Sequence, residues 1–255
     1  MTTNPCALIT GSSRGIGLGI IKALAKENFN VILNAPKESQ ALFDAEKALI
    51  DSDAKVKTLI LDISNTSAHS QAVTEAFDFF GGIDCLVNNA GVSVKERGDL
   101  LNLSVESFDE QIDVNLKGTF FLTQAVAKKM IEQSSEHFRS IITISSSNAV
   151  AASIERGEYC LAKSALEMMN KLFAVRLAGN GINTYEIRPG LINTDMTRSV
   201  KPKYDRLLKD GFSPINRWGE TDDVAETVTM LAKGGMKFST GEALHIDGGL
   251  LINRY

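Results

Sequence analysis

The sequence is poor in cysteine and contains no long apolar run. Its three cysteines, Cys6, Cys85 and Cys160, lie far apart without a CxxC pair, which argues against a disulfide framework and favours a reducing compartment. No apolar run approaches the roughly 18–20 residues that cross a bilayer, and the N-terminus lacks the basic region of a secretion signal. We therefore expect a cytoplasmic protein that does not enter the membrane.

A surplus of basic side chains is also missing. The chain has 27 Lys and Arg against 31 Asp and Glu, which gives a formal net charge of −4 at pH 7. Because binding to a phosphate backbone needs clustered positive charge, we expect no nucleic-acid partner. The three histidines are scattered without the spacing of metal ligands, so the sequence predicts no metal site.

Short β-rich runs alternate regularly with longer amphipathic segments. Strands are predicted at Ala7–Ile9, Val31–Leu33, Val56–Leu61, Cys85–Val87, Ser140–Ile144, Ile182–Ile187 and Ala243–Ile246. Helices are predicted at about 16–28, 39–52, 67–80, 105–132, 159–179 and 222–233. This alternation predicts an α/β fold, a doubly wound parallel sheet of about seven strands with helices on both faces. No linker divides the chain, so a single domain over 1–255 is expected.

The stretch at about 190–217 interrupts this rhythm. Three of the five prolines, Pro189, Pro202 and Pro214, lie between the sixth predicted strand and the next clear helix. An interruption at the carboxyl end of a strand is a typical position for a substrate lid. We expect a lid here, with a plain surface excursion as the alternative.

A glycine pattern, Gly11-Ser-Ser-Arg-Gly-Ile-Gly17, joins the first predicted strand to the first predicted helix. Glycine permits a tight turn and a close approach of the backbone to a ligand. The helix N-terminus that follows offers free N–H groups and partial positive charge to a pyrophosphate. The pattern predicts a dinucleotide-binding turn whose contacts are Gly11, Ser13, Arg14, Gly15, Ile16 and Gly17.

The end of the second predicted strand, Val31-Ile-Leu-Asn-Ala-Pro-Lys37, contains no acid. An acid there would hold the ribose hydroxyls of NAD and would repel a 2′-phosphate, whereas Arg14 and Lys37 can pair with that phosphate. NADP is therefore favoured over NAD, with Ala35 and Lys37 as further contacts. NAD stays open as an alternative because the amide of Asn34 can hydrogen-bond a bare ribose.

Tyr159 and Lys163 are four residues apart, so they share one face of a predicted helix. A phenol is a poor acid–base catalyst at neutral pH unless nearby positive charge stabilises its anion, and an ammonium group supplies that charge. Such a pair is common on helices, so it indicates catalysis only in combination with other motifs.

Together the motifs resemble the short-chain dehydrogenase/reductase family along nearly the whole chain. They are, in order, Thr10–Gly17, Asp62, Asn88-Asn-Ala-Gly91, Val114-Asn-Leu-Lys-Gly118, Ser146, Tyr159 with Lys163, Pro189-Gly190 with Thr194, and Asp247-Gly-Gly249. The resemblance implies a catalytic tetrad of Asn115, Ser146, Tyr159 and Lys163. In such enzymes the tyrosine protonates a carbonyl oxygen that the serine orients, the lysine binds the nicotinamide ribose, and the asparagine helps to hold a water.

The resemblance also implies the remaining cofactor contacts. They are Asp62, Ile63, Asn89, Ala90, Gly91, Tyr159, Lys163, Pro189, Gly190, Ile192 and Thr194. Within the family the chain is most similar to the 3-oxoacyl-acyl carrier protein reductases. This similarity implies interconversion of a ketone and a secondary alcohol on an acyl thioester, by a homotetramer formed through the long helices and residues 241–255.

Two other functions stay open. Where the resemblance places basic residues for docking an acyl carrier protein, this chain has His137 and Asn180, which leaves a sugar, polyol or small hydroxy-ketone dehydrogenase as an alternative. A dinucleotide-sensing regulator without catalytic activity is an alternative of another class. The complete tetrad argues against the regulator.

Overall fold

The computed structural model describes residues 4–254, so the parts of the expected single domain that fall on residues 1–3 and 255 lie outside the described residues. Seven strands form one parallel sheet in the order β3-β2-β1-β4-β5-β6-β7. They are β1 (Cys6–Ile9), β2 (Asn30–Ala35), β3 (Val56–Ile60), β4 (Cys85–Asn88), β5 (Arg139–Ile144), β6 (Ile182–Pro189) and β7 (Glu242–Ile246). The predicted doubly wound sheet is confirmed, and all seven predicted strands overlap observed ones.

Eight α-helices lie among the described residues. They are α1 (Gly15–Lys26), α2 (Gln40–Ile50), α3 (His69–Phe80), α4 (Val105–Gln111), α5 (Thr119–Glu132), α6 (Gly157–Leu177), α7 (Lys201–Lys209) and α8 (Thr221–Ala232). The single helix predicted over 105–132 is wrong in one respect, because a π-helical stretch, Ile112–Gly118, separates α4 from α5. No helix within 4–254 combines the length and the apolar character needed to span a bilayer.

The central strands of the sheet are buried on both faces because their neighbouring residues enter different apolar clusters. In β1, Ile9 packs into the cluster that includes α1, α2 and α8, whereas Leu8 packs into the cluster that includes α3 and α5. A strand covered on both sides needs apolar residues at consecutive positions, and this need explains the continuous run Cys6–Ile9. Gly19 lets α1 approach α8, since a Cβ there would lie only 2.9 Å from the Cβ of Thr221.

The direction of winding reverses at β1, which pairs with β2 on one side and with β4 on the other. In open parallel sheets the loops that leave two such strands separate, and they leave a crevice at the carboxyl ends. The glycine turn follows β1, and the loop that contains Gly91 follows β4. The topology therefore brings these two motifs, which are distant in sequence, to one crevice.

Candidate active site

The junction of β1 and α1 has no space for a side chain at Gly11 or Gly17. A Cβ on Gly11 would lie 2.8 Å from the Cα of Ala90, and a Cβ on Gly17 would lie 2.5 Å from Nδ2 of Asn89. Gly11 also has a φ of 61°, a left-handed conformation that glycine adopts without strain. The loops after β1 and β4 therefore pass in direct contact.

Polar bonds fix this contact. Oγ1 of Thr10 accepts the N–H groups of Asn89 and Ala90 at 2.9 and 3.0 Å, and Nδ2 of Asn89 donates to the carbonyls of Thr10 and Gly11 at 2.9 and 3.0 Å. Asn89 was predicted to contact the cofactor, but both hydrogens of its side-chain amide nitrogen are used within the turn. This side chain shapes the binding loop.

The N-terminus of α1 is open towards the crevice side of the turn. The helix begins at Gly15, its first turn contains no acidic residue, and the exposed Arg14 before it makes no side-chain capping bond. The first N–H groups of a helix have no partner within the helix, and their partial charge attracts an anion. Across the turn, the methyl group of Thr194 lies 3.7 Å from the position of a Cβ on Gly15. This cradle fits the diphosphate of a dinucleotide.

Asn34 ties three strands together and does not face a ligand. Its Oδ1 accepts the N–H of Gly11 at 3.0 Å, and its Nδ2 donates to the carbonyls of Leu59 and Leu61, each at 3.1 Å. The side chain is buried. The expectation that Asn34 is free to bond a bare ribose is therefore wrong, because the protein already uses both hydrogens of its amide nitrogen.

The other predicted adenosine-side residues line the rim of the crevice at β2 and β3. Ala35 is buried, whereas Lys37 is exposed. Oδ1 of Asp62 accepts the N–H and the Oγ of Ser64 at 2.9 and 2.7 Å, so one carboxylate oxygen closes a turn. Ile63 is buried, and its carbonyl bonds to Nε2 of His69 at 2.8 Å. His69 is thus a buried structural residue.

The four residues of the predicted tetrad come from three different elements. Tyr159 and Lys163 lie on α6, Ser146 follows β5, and Asn115 lies in the π-helical stretch, all of them buried or nearly so. Nζ of Lys163 donates to the carbonyl of Ile144 at 3.0 Å and lies 5.8 Å from the centre of the Tyr159 ring. Burial keeps this phenol and this ammonium in each other's field, where solvent screens their interaction weakly.

The side chain of Asn115 holds the loop after β4. Its Oδ1 accepts the N–H of Val92 and its Nδ2 donates to the carbonyl of Val92, both at 2.9 Å. Gly91 fits beneath it, since a Cβ there would lie 2.7 Å from Oδ1 of Asn115 and 3.5 Å from Nζ of Lys163. Both hydrogens of Nδ2 are used within the protein, so this amide could bind a water only through the second lone pair of Oδ1.

Gln111, one helical turn before Asn115, was not predicted to belong to the site. Its Oε1 accepts from Nδ2 of Asn115 at 2.7 Å, and the whole side chain is buried. Its Nε2 has no hydrogen-bond partner among the described residues. The spacing of four residues was the available signal, but helical spacing alone does not distinguish a polar residue that faces the site from one that faces solvent.

A buried ionic cluster contacts Ser145, the neighbour of the predicted tetrad residue Ser146. Arg188 bonds to both carboxylate oxygens of Glu186 at 2.9 and 3.0 Å and to Glu167 of α6 at 2.6 Å, while Glu186 accepts the hydroxyl of Ser145. Burial works to lower the pKa of Arg188, but its bonds to the two carboxylates outweigh burial and raise it. The pKa of Glu167 is lowered, first by the bond from Lys171 and then by the charge of Arg188.

Known proteins resemble this chain over nearly its whole length. A family model described as enoyl-(acyl carrier protein) reductase matches residues 11–251. A 3-oxoacyl-[acyl-carrier-protein] reductase of Staphylococcus epidermidis is 32% identical over 254 residues, which cover 98% of this chain and 100% of that protein.

Two solved structures share the architecture. A 3-oxoacyl-[acyl-carrier protein] reductase from Brucella melitensis in complex with NAD has a TM-score of 0.95 and 44% identity, with 100% of both chains covered. A gluconate 5-dehydrogenase from Burkholderia cenocepacia in complex with NADP and tartrate has a TM-score of 0.90 and 30% identity, with 99% of this chain and 97% of that chain covered.

Proposed function

This chain belongs to the short-chain dehydrogenase/reductase family and is an NAD(P)-dependent oxidoreductase, and on this basis we propose that it interconverts a ketone and a secondary alcohol with Tyr159 as general acid and base. The observation that carries the assignment is the buried pair on α6, with the ammonium of Lys163 held 5.8 Å from the Tyr159 ring. A nicotinamide dinucleotide, when bound, supplies or accepts the hydride.

The side chains around the reacting centre take separate roles. Tyr159 donates its hydroxyl proton to the carbonyl oxygen in reduction and takes it back in oxidation. Ser146, whose Oγ accepts the N–H of Asn148 at 3.1 Å, retains its own proton to donate to the same oxygen. Lys163 stabilises the phenolate that remains, and Asn115 keeps the Gly91–Val92 loop in place next to it. Closure of the crevice would exclude water from this proton transfer.

Replacing Tyr159 by phenylalanine tests the mechanism. The change removes one hydroxyl, so kcat should fall by about 10²- to 10⁴-fold while the dissociation constants for NADH and NADPH change by less than about threefold. Tyr185→Phe is the matched control, because it removes a hydroxyl that donates to the carbonyl of Met236 in another part of the fold. Turnover by Tyr159→Phe at the rate of the control would overturn the acid–base assignment.

We propose a 3-oxoacyl thioester as the first substrate class and a small hydroxy ketone, sugar or polyol as the second. The reductases of Staphylococcus epidermidis and Brucella melitensis favour the first class, and the gluconate 5-dehydrogenase favours the second. Purified protein should be screened against acetoacetyl thioesters, sugars, polyols and diketones with each dinucleotide. A kcat/KM for the polyols above that for the thioesters would reverse the order of the two classes.

We propose a preference for NADP over NAD, supported by the charges at the rim. Arg14 and Lys37 are exposed beside the glycine turn and the end of β2, and residues 30–37 contain no acid that would repel a 2′-phosphate. Replacing both by glutamine should lower kcat/KM for NADPH by about 10- to 100-fold and leave that for NADH within about threefold. Lys47→Gln, on the exposed face of α2, is the control. Equal losses with both dinucleotides would contradict the preference.

We further propose a homotetramer, because α6 exposes an apolar stripe. Its members are Leu161, Met168, Leu172 and Val175, and Val175 is 86% exposed. An uncovered stripe of this kind is typical of a protein interface. Leu172→Glu should reduce the mass measured by light scattering, whereas Lys171→Glu should not. A wild-type monomer would refute the proposal.

We propose that residues 190–217 form a lid that covers the substrate. The segment contains α7, whose Lys203 reaches Glu155 beside the crevice at 3.8 Å. Slower trypsin cleavage within 190–217 when NADPH and substrate are bound would support a lid, and unchanged cleavage would favour a fixed surface segment.

We also propose that the protein works in the cytoplasm. Its three cysteines are all free, and free thiols persist in a reducing compartment.

A further inference from the structure

Arg156 is a cation beside the reacting groups that the proposed reaction does not use. It ends the short 3₁₀ turn Ile154–Arg156 and directly precedes α6. Its guanidinium carbon lies 5.0 Å from the centre of the Tyr159 ring, and its Nη2 donates to Oδ1 of Asn148. The N–H of Asn148 donates in turn to Oγ of Ser146. The guanidinium thus adjoins the Tyr159 ring and is linked to Ser146 through Asn148.

No carboxylate among residues 4–254 lies within ion-pair distance of Arg156. The neighbouring Glu155 pairs with Lys203 at 3.8 Å, and the buried Glu158 accepts the hydroxyl of Ser107 at 2.8 Å. Nε of Arg156 is buried and has no hydrogen-bond partner among the described residues. A buried N–H without an acceptor is costly, so this donor marks a position where an acceptor is missing.

The position of Arg156 also breaks a rule of helix capping. It occupies the N-cap of the 21-residue helix α6 without making a side-chain capping bond. Short polar or acidic side chains are preferred at an N-cap, and a cation there adds to the positive end of the helix. Local rules are most often broken where a side chain serves a function. The guanidinium and the helix end together favour an anion at this place.

We propose that Arg156 binds a carboxylate of the substrate, which makes the substrate a small keto acid that is reduced to the corresponding hydroxy acid. This inference rests on the proposed ketone reduction, and it replaces the acyl thioester by a keto acid as the first substrate class of the same site. A guanidinium matches a carboxylate with two parallel hydrogen bonds, and the terminal nitrogens Nη1 and Nη2 can supply them. The carboxylate takes no part in the chemistry: hydride adds to the ketone carbon, and the proton of Tyr159 goes to the ketone oxygen. An uncharged acyl thioester has no group for this position.

Paired substrates test the assignment directly. Short 2-oxo and 3-oxo acids, each beside its uncharged methyl ester, are assayed with wild type, Arg156→Gln and Arg156→Lys. The ratio of kcat/KM for acid to that for ester should fall by about 10- to 100-fold in Arg156→Gln, and Arg156→Lys should retain part of it. Arg176→Gln is the matched control on the same helix, about 30 Å away along its axis, and should leave the ratio unchanged.

Binding of an anion gives a second readout that does not need turnover. Calorimetric titration of tartrate into the protein with dinucleotide should show a Kd that rises about 10- to 100-fold in Arg156→Gln. Equal use of acid and ester by wild type, or a ratio unchanged in Arg156→Gln, would overturn the inference and leave ketone reduction intact. Arg156-dependent tartrate binding without turnover of any ketone would overturn the proposed reaction and keep the anion site. Tartrate binding independent of Arg156 would overturn the anion site.

Discussion

Replacing Arg188 by methionine should cost this protein much of its stability. The side chain is 7% exposed, Glu186 is fully buried, and the two are joined by bonds of 2.9 and 3.0 Å. Removing one partner of a buried ion pair leaves the other charge without compensation, at a cost of about 3–5 kcal/mol. In a domain of this size each kcal/mol lowers the melting temperature by about 2–4 °C, so a decrease of about 6–20 °C is expected.

Urea unfolding followed by circular dichroism measures this loss, and two further variants identify its cause. Lys171→Met removes an exposed partner of Glu167, so it should cost about 0–1 kcal/mol. Arg188→Met combined with Glu186→Gln removes both buried charges and should be more stable than Arg188→Met alone. The deficit of Arg188→Met should also shrink in acid, because protonation removes an unpaired buried charge. A loss below about 1 kcal/mol, or a double variant no better than the single one, would refute the argument.

Three further outcomes follow from the structure. Gly91→Ala should lower kcat by about 10- to 100-fold because its Cβ would displace Asn115 next to the reacting groups, and an unchanged kcat would contradict this. Burial raises the pKa of Cys85 to about 12, so an aromatic disulfide reagent at about pH 8 should label it only after unfolding; labelling of the native protein would be the contrary result. The bond from Arg217 lowers the pKa of Asp223 to about 2, below its value near 4 in the unfolded chain. The pair therefore stabilises the fold above about pH 4, and this stabilisation is lost as the pH falls towards 2. Arg217→Met should therefore be slightly less stable than wild type at pH 7, and a deficit that grew in acid would refute this.

The sheet and the glycine turn could be predicted because their signals are local. A run such as Cys6–Ile9 is apolar at every position, and Gly11, Gly15 and Gly17 directly follow it. The order of the strands was not predicted, because the right-handed crossover rule fixes the hand of each connection and not the position of each strand in the sheet. The tetrad was predicted from the resemblance to a family and stays a prediction, and the structure places two of its members, Tyr159 and Lys163, close together.

The π-helical stretch and the tie made by Asn34 could not be predicted in the same way. Apolar residues continue at helical spacing through 105–132, so nothing in the local pattern marks the wider turn around Asn115. The amides of Asn34 and Asn115 bond to backbone 23 to 27 residues away, and such partners are known only after the strands are placed. Helix α7 was missed because its proline and its charges match a loop as well as a helix.

The bonds of Asn34 limit how the coenzyme choice of this protein can be altered. An aspartate at this position would have no hydrogens for the carbonyls of Leu59 and Leu61, and its charge would face two oxygen atoms within the sheet. An aspartate at position 34 would therefore destabilise the fold before it changed the selectivity between NAD and NADP. Changes at the exposed Arg14 and Lys37 avoid this conflict, so that redesign for the other coenzyme begins on the surface and leaves the interior intact.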